Sequence, residues 1–363
     1  MSRACARTPS HRCRARRACG RWSWQPAFSS RSPGMEKRVT LRDKSVLVTG
    51  GAGFIGSHVV DAVVRERPKR VVVVDNLFLG REENLAEARA ARGDLTFYCQ
   101  NAGDLAVMRR ILADNGVEVV FDLAVIPLPT SLEKPKWSVD QSVLVTTTLC
   151  QLAVDGAFQT LVHFSSSEAL GSAKIVPMVE DHPLAPLTPY AAAKAASDHI
   201  VLSHCHTFGL DAAILRPFNN YGPRQNDKAY AGILPIAINK VLAGETIEIF
   251  GDGEQTRDFI FVKDTAAAAV ALYGSAATRG CVTNVATGRE TTVNELVRTI
   301  LRLMGAEDHP VMHVAPRPAD VRRHCADLTK ARERLGFEPT TELAEGLRQT
   351  IDWYLAKAGQ ARR

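Results

Sequence analysis

A tyrosine and a lysine with the spacing of a proton-transfer pair lie in the segment YAAAKAASDHIVLSHC. Tyr190 and Lys194 are four residues apart, so they share one face of a predicted helix. A phenol, with an ordinary pKa of about 10, is a poor base at neutral pH, but an ammonium group one turn away favours the phenolate. Such a phenolate can accept a proton from a hydroxyl while a hydride leaves the same carbon for a bound acceptor.

Three serines and a glutamate follow an apolar run in the segment HFSSSEALGS. Turn residues are expected where the predicted strand ends, so Ser165, Ser166 and Ser167 need no special explanation. Glu168 leaves two interpretations open. It caps the turn, or its carboxylate removes a proton from a bound molecule.

A glycine-rich turn lies between two apolar strands in SVLVTGGAGFIGSHVVDAVVRERPKRVVVVDN. Gly50, Gly53 and Gly56 recur at three-residue intervals. A side chain at these positions would keep a pyrophosphate away from the backbone, and the phosphate charge is stabilised at the positive end of the helix dipole. The turn therefore predicts a dinucleotide site formed by Gly50, Gly53, Phe54, Ile55 and Gly56. The helix is expected to direct four apolar side chains toward the sheet, namely Ile55, Val59, Val60 and Val63.

An aspartate ends the second strand, VVVVD, about twenty residues after the glycines. A carboxylate at this position accepts hydrogen bonds from both ribose hydroxyls and repels a 2′-phosphate. Asp75 therefore favours NAD over NADP, and Asn76 is assigned to the same pocket. The alternative is that Asp75 only begins the turn VDNLFLG.

The strands and helices that must position these residues keep alternating along the chain. LTFYC, VEVVFDLAV and TLVHFS are predicted strands, separated by helices near AVMRRILADNG and VLVTTTLCQLAVDG. This order predicts an α/β fold with a doubly wound parallel sheet. No Pro- or Gly-rich linker divides the chain, so a second domain would be formed by later insertions into the first.

Composition excludes several classes of protein. The chain has 363 residues, 45% of them hydrophobic and 23% charged, which is ordinary for a globular enzyme. No apolar run approaches the roughly 20 residues that span a bilayer. The net charge of +6 comes from eight arginines in residues 1–34, and the remainder is near −2. The body of the chain therefore lacks the basic face expected of a nucleic-acid-binding protein.

Residues 1–34 allow three interpretations: a disordered basic tail, a transit-like peptide, or an over-long translation start with Met35 as the true beginning. The segment lacks the apolar stretch of a secretory signal, which predicts a cytoplasmic protein.

The cysteines and histidines do not form a predicted metal site. Five cysteines beyond residue 34 show no CxxC spacing, which predicts reduced and mostly buried thiols. His204 and His206 are two residues apart, so on a helix they face different sides. We therefore predict no bound metal.

Several motifs together resemble one family. They are TGGAGFIGSH, DNLFLG, SSSEALG, YAAAK, LRPFNNYGPRQ, GDGEQTRDFIFVKD and RPADVRRHCADLTKARERLGFEP. From about Ser45 to Tyr354 the chain resembles the extended short-chain dehydrogenase/reductase family, the nucleotide-sugar epimerases and dehydratases. The resemblance implies a Rossmann sheet that binds NAD, predicted at 36–218 plus 258–292. It also implies a smaller C-terminal α/β domain for the nucleoside-diphosphate sugar, predicted at 219–257 plus 293–357, and a homodimer through helices near 139–156 and 188–208.

The resemblance assigns roles to the reactive residues. Ser166 matches the hydroxyl residue that hydrogen-bonds the reacting sugar oxygen, and Tyr190 matches the catalytic base. Lys194 matches the residue that holds the nicotinamide ribose and lowers the tyrosine pKa.

Three further residues match substrate contacts in the family. Asn219 matches a sugar-nucleotide contact, and Arg257 and Arg317 match arginines that bind the diphosphate. The planar guanidinium suits this task because it donates to two phosphate oxygens at once. The alternative for each arginine is a solvated surface charge.

The sequence departs from the family pattern at three positions. Asp122 stands where the family usually has His, and Asn101 where it usually has Asp. Asn101 keeps a carbonyl that can accept from the adenine amine, whereas the added charge of Asp122 has no explanation from the sequence. Leu170 replaces a usual Tyr, which predicts an unusually shaped sugar pocket.

The resemblance leaves the reaction open between two main outcomes. Both begin by oxidising C4 of the hexose. A 4-epimerase then returns hydride to the other face, whereas a 4,6-dehydratase removes the C5 proton and expels water from C6. The spacing of Glu168 from Ser166 matches the dehydratase base, so we favour a dehydratase. A decarboxylase fits less well because TPYAAAK differs from its signature, and the intact Ser166, Tyr190 and Lys194 argue against a non-catalytic NAD sensor.

Overall fold

The computed structural model describes residues 39–227, 232–317 and 320–361. They all lie within one compact unit, Arg38–Arg363. The segment 1–34, for which the sequence left three interpretations, is outside the described residues.

Thirteen strands are assigned among the described residues. They are β1 (Ser45–Thr49), β2 (Arg70–Asp75), β3 (Thr96–Cys99), β4 (Val119–Asp122), β5 (Thr160–Phe164), β6 (Asp211–Pro217), β7 (Asn219–Tyr221), β8 (Ile247–Phe250), β9 (Thr256–Arg257), β10 (Phe259–Phe261), β11 (Val282–Val285), β12 (Thr291–Thr292) and β13 (Val311–Val314).

Eleven α-helices are assigned in the same part of the chain. They are α1 (Phe54–Arg65), α2 (Ala86–Ala91), α3 (Leu105–Asn115), α4 (Leu128–Glu133), α5 (Pro135–Val154), α6 (Pro189–Phe208), α7 (Ile233–Ala243), α8 (Val262–Gly274), α9 (Val293–Leu303), α10 (Thr329–Leu335) and α11 (Leu343–Ala361).

The central sheet has seven strands in the order β3-β2-β1-β4-β5-β6-β11. All of its neighbouring strands run parallel. From β1, the strands β2 and β3 extend the sheet toward one edge, whereas β4, β5 and β6 extend it toward the other. The order of the strands therefore reverses between β1 and β4. In open α/β sheets, ligands bind outside the carboxyl ends of the strands at such a point. The predicted doubly wound parallel sheet is confirmed.

Apolar side chains cover both faces of this sheet, because successive residues of a strand point to opposite sides. In β1, Val46 and Val48 belong to the cluster that includes α1 and α8, whereas Leu47 belongs to the cluster that includes α3, α5 and α6. As predicted, α1 directs its apolar residues toward the sheet. Val59, Val60 and Val63 are fully buried there, and Ile55 packs at the edge of the same cluster.

A further apolar cluster lies in the C-terminal half of the chain. It joins β7, β8 and β10 to α7, α9 and α11, with Phe261, Ile238 and Leu296 among its fully or almost fully buried members. The strand β8 pairs with β13 in a small parallel sheet. The assignment of this part as a separate nucleotide-sugar-binding domain stays a prediction.

The described cysteines are all free, and only Cys150 and Cys325 are buried. The prediction of mostly buried thiols is therefore wrong, because Cys99 at the end of β3 is exposed and Cys205 and Cys281 are partly exposed. Within the described ranges, no group of three or more His, Cys, Asp or Glu side chains could hold a metal ion. None of the helices described is long and apolar enough to cross a membrane.

Candidate active site

The turn between β1 and α1 needs its glycines for two different reasons. Gly50 has a φ of 64°, and a Cβ there would lie 2.9 Å from the backbone of Leu123 and Ala124. A Cβ at Gly56 would lie 2.1 Å from the Gly50 carbonyl oxygen. Gly50 and Gly56 are therefore required by close packing of the chain on itself. Gly53 is less constrained, since its Cβ would meet only the Gly50 oxygen, at 3.1 Å.

The first turn of α1 is suited to a phosphate group. Gly53 is the N-cap residue, and it has no side chain to accept a hydrogen bond from the helix end. The first N–H groups of a helix have no intrahelical partner and carry the positive end of the dipole. Phe54 and Ile55 begin the helix here and line the adjoining cavity.

Asp75, at the end of β2, is buried and holds the glycine turn in place. Its carboxylate accepts from the Ala52 N–H at 3.0 Å and from the Leu77 N–H at 2.8 Å. Burial raises the pKa of Asp75, and these backbone donors oppose the rise. The carboxylate thus begins the following turn, as in the alternative interpretation, and also lines the cavity.

A cavity of about 310 Å³ runs across the carboxyl ends of the strands. Its lining includes every predicted dinucleotide residue together with the predicted base: Gly50, Gly53, Phe54, Ile55, Gly56, Asp75, Asn76, Asn101, Tyr190 and Lys194. The uncapped helix end and the buried carboxylate supply the phosphate and ribose contacts that a dinucleotide needs. The residues present therefore fit NAD.

The N-terminus of α6 positions Tyr190. Thr188 caps this helix by accepting from the Ala191 N–H at 3.2 Å, and Pro189 occupies the first helical position. The Tyr190 N–H donates to the Ser131 hydroxyl at 3.1 Å. Lys194 follows one turn later and is buried, and its ammonium donates to the Phe164 carbonyl at 2.6 Å.

The protein's own groups raise the pKa of Tyr190 to about 12. Burial is the main cause, the negative charges of Glu168 and Asp198 add to it, and a hydrogen bond with Ser166 opposes it. The sequence predicted that Lys194 would lower this pKa. In the structure the Lys194 ammonium donates to the Phe164 carbonyl, and its effect on Tyr190 stays a prediction.

Asp122 belongs to a buried polar network beneath Lys194. Its carboxylate accepts from the Thr49 hydroxyl at 2.8 Å and lies 2.8 Å from His163 Nδ1. Burial lowers the pKa of Lys194, whereas the negative charges of Asp122 and Asp198 raise it. The departure at Asp122 thus acquires a physical role as a counter-charge to the buried lysine.

Sequence reasoning missed the rest of this network. The Asp198 carboxylate accepts from the Ser165 hydroxyl at 2.7 Å and from Arg216 at 3.0 Å. Asp198 lies one turn after Lys194 on α6, so the recurrence of Tyr190, Lys194 and Asp198 at four-residue intervals was the available signal.

The turn after β5 is closed by Ser166 rather than by Glu168. Ser166 Oγ accepts from the Glu168 N–H at 3.3 Å, whereas the Glu168 carboxylate has no hydrogen-bond partner among the described residues. Burial raises the pKa of Glu168, the positive charge of Arg257 lowers it, and Asp320 raises it. The interpretation in which Glu168 caps the turn is therefore wrong.

The predicted substrate-binding residues are brought together only in part. The Asn219 side-chain oxygen is buried and lacks a hydrogen-bond partner in the described structure. Arg257 lies within electrostatic range of Glu168 and donates to Asp320 and to the Val321 carbonyl, each at 2.6 Å. Arg317 is exposed, with its guanidinium 3.9 Å from the centre of the Phe250 ring.

The other two departures from the family pattern have local explanations. Leu170 is fully buried in an apolar cluster with Met178 and Phe218. It does not line the cavity described above, and the unusual shape of the sugar pocket stays a prediction. The Asn101 carbonyl accepts from the Gly103 N–H at 2.8 Å, which shapes the loop after β3.

Comparison with known proteins agrees with this site. The family model for GDP-mannose 4,6-dehydratase matches residues 47–350. UDP-glucose 4-epimerase from Mycolicibacterium smegmatis is 38% identical over 314 residues, covering 86% of this chain and 99% of that protein. dTDP-glucose 4,6-dehydratase from an Actinoplanes species is 33% identical over 326 residues, covering 86% and 98%.

A solved structure shows the same architecture. The dTDP-glucose 4,6-dehydratase DesIV from Streptomyces venezuelae, crystallised with NAD and TYD, has a TM-score of 0.82 and 32% identity, covering 87% of this chain and 98% of that one. The chain therefore belongs to the extended short-chain dehydrogenase/reductase family, the NAD-dependent nucleotide-sugar epimerases and dehydratases.

Proposed function

We propose that this enzyme is a nucleotide-sugar 4,6-dehydratase, which oxidises C4 of a nucleoside-diphosphate hexose and then removes water across C5 and C6. The observation that carries the proposal is the Glu168 carboxylate, which has no hydrogen-bond partner among the described residues and lies within electrostatic range of Tyr190. A carboxylate that does not stabilise its own turn is available to act on a substrate. Because burial raises its pKa, it is also a stronger base than an exposed carboxylate.

The cofactor is NAD, which accepts a hydride when bound. The first turn of α1 holds its phosphates, and Asp75 accepts from its ribose hydroxyls. Lys194 lines the same cavity and would hold the nicotinamide ribose.

Tyr190 removes the proton of the C4 hydroxyl in the first step. Its phenol lies close enough to Ser166 for that hydroxyl to lower its pKa, and the Ser166 hydroxyl would hydrogen-bond the reacting sugar oxygen. Since the protein alone raises the pKa of Tyr190 to about 12, the positive charge of the bound cofactor must stabilise the phenolate. Lys194 supplies a second positive charge one turn away on α6.

Glu168 performs the second step. Oxidation at C4 makes the C5 proton acidic, and the Glu168 carboxylate accepts that proton. The electron pair left at C5 forms the C5–C6 double bond as the C6 hydroxyl leaves. The same proton can then pass from Glu168 to the leaving oxygen, which departs as water. Glu168 therefore moves the proton of the elimination. The hydride taken from C4 then returns to C6 and the proton held by Tyr190 adds at C5, so the sugar loses one water in total.

A 4-epimerase is the second candidate, and the name of the 38% identical relative from Mycolicibacterium smegmatis is consistent with it. In that reaction the 4-keto sugar turns over in the site and Glu168 has no proton to move. The nucleotide base and the sugar configuration are not assigned by either candidate.

The test is incubation of the purified enzyme with a panel of nucleoside-diphosphate hexoses followed by mass spectrometry. A dehydratase gives a product lighter by one water. A new isomer of unchanged mass would show epimerisation and overturn the proposal.

A further inference from the structure

Two aromatic side chains meet at the mouth of the cavity. Phe78 follows β2, Trp137 lies in the first turn of α5, and both line the cavity. Their ring centroids are 5.5 Å apart and their planes are inclined at 56°. The two side chains remain 43% and 40% exposed, so each presents a ring face or edge that a flat ligand can cover.

The loop before Phe78 is shaped by the residues that form the pocket. The Leu77 N–H donates to Asp75 Oδ1 at 2.8 Å, and the Phe78 N–H donates to Asn76 Oδ1 at 3.0 Å. Leu77 has a φ of 57°, in the left-handed region that non-glycine residues rarely adopt. Asp75 and Asn76 therefore direct the backbone so that Phe78 faces Trp137.

The polar groups nearby identify which end of NAD lies under these rings. Asp75, Asn101 and Gln141 line the same end of the cavity, and Asn101 is 3.5 Å from Gln141. Gln141 is one turn after Trp137 on α5 and so shares its face. Lys194 instead donates to the Phe164 carbonyl at the end of β5, which lies three strands across the sheet from β2. The aromatic pair therefore lies beside the adenosine half.

We propose that Phe78 and Trp137 form an aromatic clasp that stacks on the adenine of bound NAD and slows its release. Base–aromatic stacking does not depend on hydrogen-bond pattern, because every base has a π-face. The clasp explains why two large apolar rings are left exposed at the cavity mouth. It rests on the use of NAD in the proposed function, but not on the sugar reaction.

The test uses etheno-NAD, whose modified adenine is fluorescent and is quenched by stacking. The enzyme is loaded with this probe, and its release is followed after addition of excess NAD. In the Phe78→Ala and Trp137→Ala variants, release is expected to be about tenfold faster or more, with loss of quenching in the bound probe. Val154→Ala is the matched control, because Val154 is 40% exposed at the other end of α5.

Trp137→Phe should restore slow release, since a stacking face is retained. Wild-type release rates and quenching in both alanine variants would overturn the clasp. Equal acceleration in Val154→Ala would also overturn it, because the effect would then be general. The release experiment contains no sugar, so its outcome does not depend on the sugar reaction. An enzyme that shows the clasp but turns over no nucleotide sugar would refute the proposed function and leave the clasp standing.

Discussion

The hydroxyl of Tyr190 is kept neutral by its surroundings until a ligand supplies positive charge. Burial raises its pKa to about 12, and the charges of Glu168 and Asp198 act in the same direction. A phenol whose pKa is raised to about 12 is protonated at neutral pH when no further positive charge is bound beside it. Proton transfer is thereby tied to the presence of the oxidised cofactor.

Tyr190→Phe is expected to preserve the fold and bound NAD but to lower turnover by about 10²–10⁴-fold, the usual effect of losing a general base. The rate of NAD reduction after adding substrate measures this step. In the wild-type enzyme that rate should rise with pH, because the pKa of Tyr190 is raised and the phenolate fraction grows toward alkaline pH. The variant should lose this dependence. Retention of more than about a tenth of wild-type activity would contradict the role of Tyr190 as base.

Asp122 acts on a different group, the buried ammonium of Lys194. Its negative charge raises the pKa of Lys194 against the opposing effect of burial. In Asp122→Asn this contribution is lost, so Lys194 should lose its proton at a lower pH. The rate of NAD reduction should fall at high pH as Lys194 loses its proton, and this alkaline limb of the pH profile should lie at lower pH in the variant.

Thr49→Val is the matched control for Asp122→Asn. It removes the hydrogen bond to Asp122 and the acceptor for the Leu123 and Ala124 N–H groups, but it leaves the carboxylate charge in place. If the alkaline limb does not move in Asp122→Asn, or moves equally in Thr49→Val, the charge of Asp122 does not set the pKa of Lys194.

At the scale of the secondary-structure elements, α6 places Tyr190 and Lys194 through its capped N-terminus. Thr188→Ala removes the side-chain acceptor for the Ala191 N–H. It should lower the free energy of unfolding by about 1 kcal/mol, the usual cost of losing an N-cap. Urea denaturation measures this change. Thr188→Ser keeps a hydroxyl and should remain close to wild type, and a similar loss in both variants would argue against the cap.

The elements predicted correctly from the sequence are those whose signal is local. The strand, glycine turn, helix and strand from β1 to β2 follow from side-chain periodicity and from glycines within about 30 residues. The role of Asp122 was not predictable in this way. It depends on the register that places β4 beside β5, where Asp122 pairs with His163 41 residues later.

Leu170 illustrates the same limit. Its burial is decided by contacts with Met178 and Phe218, which lie outside its motif. The order of residues within the turn SSSEALG does not encode those distant contacts. Ser166 and Glu168 were identified correctly as candidates, whereas the choice of Ser166 as the turn-capping residue required the structure.

At the scale of the whole molecule, the candidate site joins the parallel sheet to the C-terminal half. Arg257, in β9, is tied to the later segment by its ion pair with Asp320 and its hydrogen bond to Val321. A homodimer through α5 and α6 stays a prediction. Leu144, Val154 and Phe208 are the exposed apolar side chains of these helices that it would cover.

Arg257→Lys should raise the KM for the nucleotide sugar about tenfold while changing kcat little, the effect of losing one charge-assisted hydrogen bond to the diphosphate. Steady-state kinetics measure this change. Arg332→Lys is the matched control, because Arg332 pairs with Glu338 at an exposed position. An unchanged KM in Arg257→Lys would mean that this arginine serves only its pair with Asp320.

The most direct test of the proposed mechanism is Glu168→Gln, followed by measuring NAD reduction and the entry of solvent deuterium at C5 of the sugar. Gln has nearly the same shape and leaves the Ser166 cap intact, but it does not accept the proton. The first step should survive, so NADH absorbance should appear on adding substrate, while deuterium entry and loss of water should stop. Release of water from the sugar at near the wild-type rate would contradict Glu168 as the base and the proposed dehydratase.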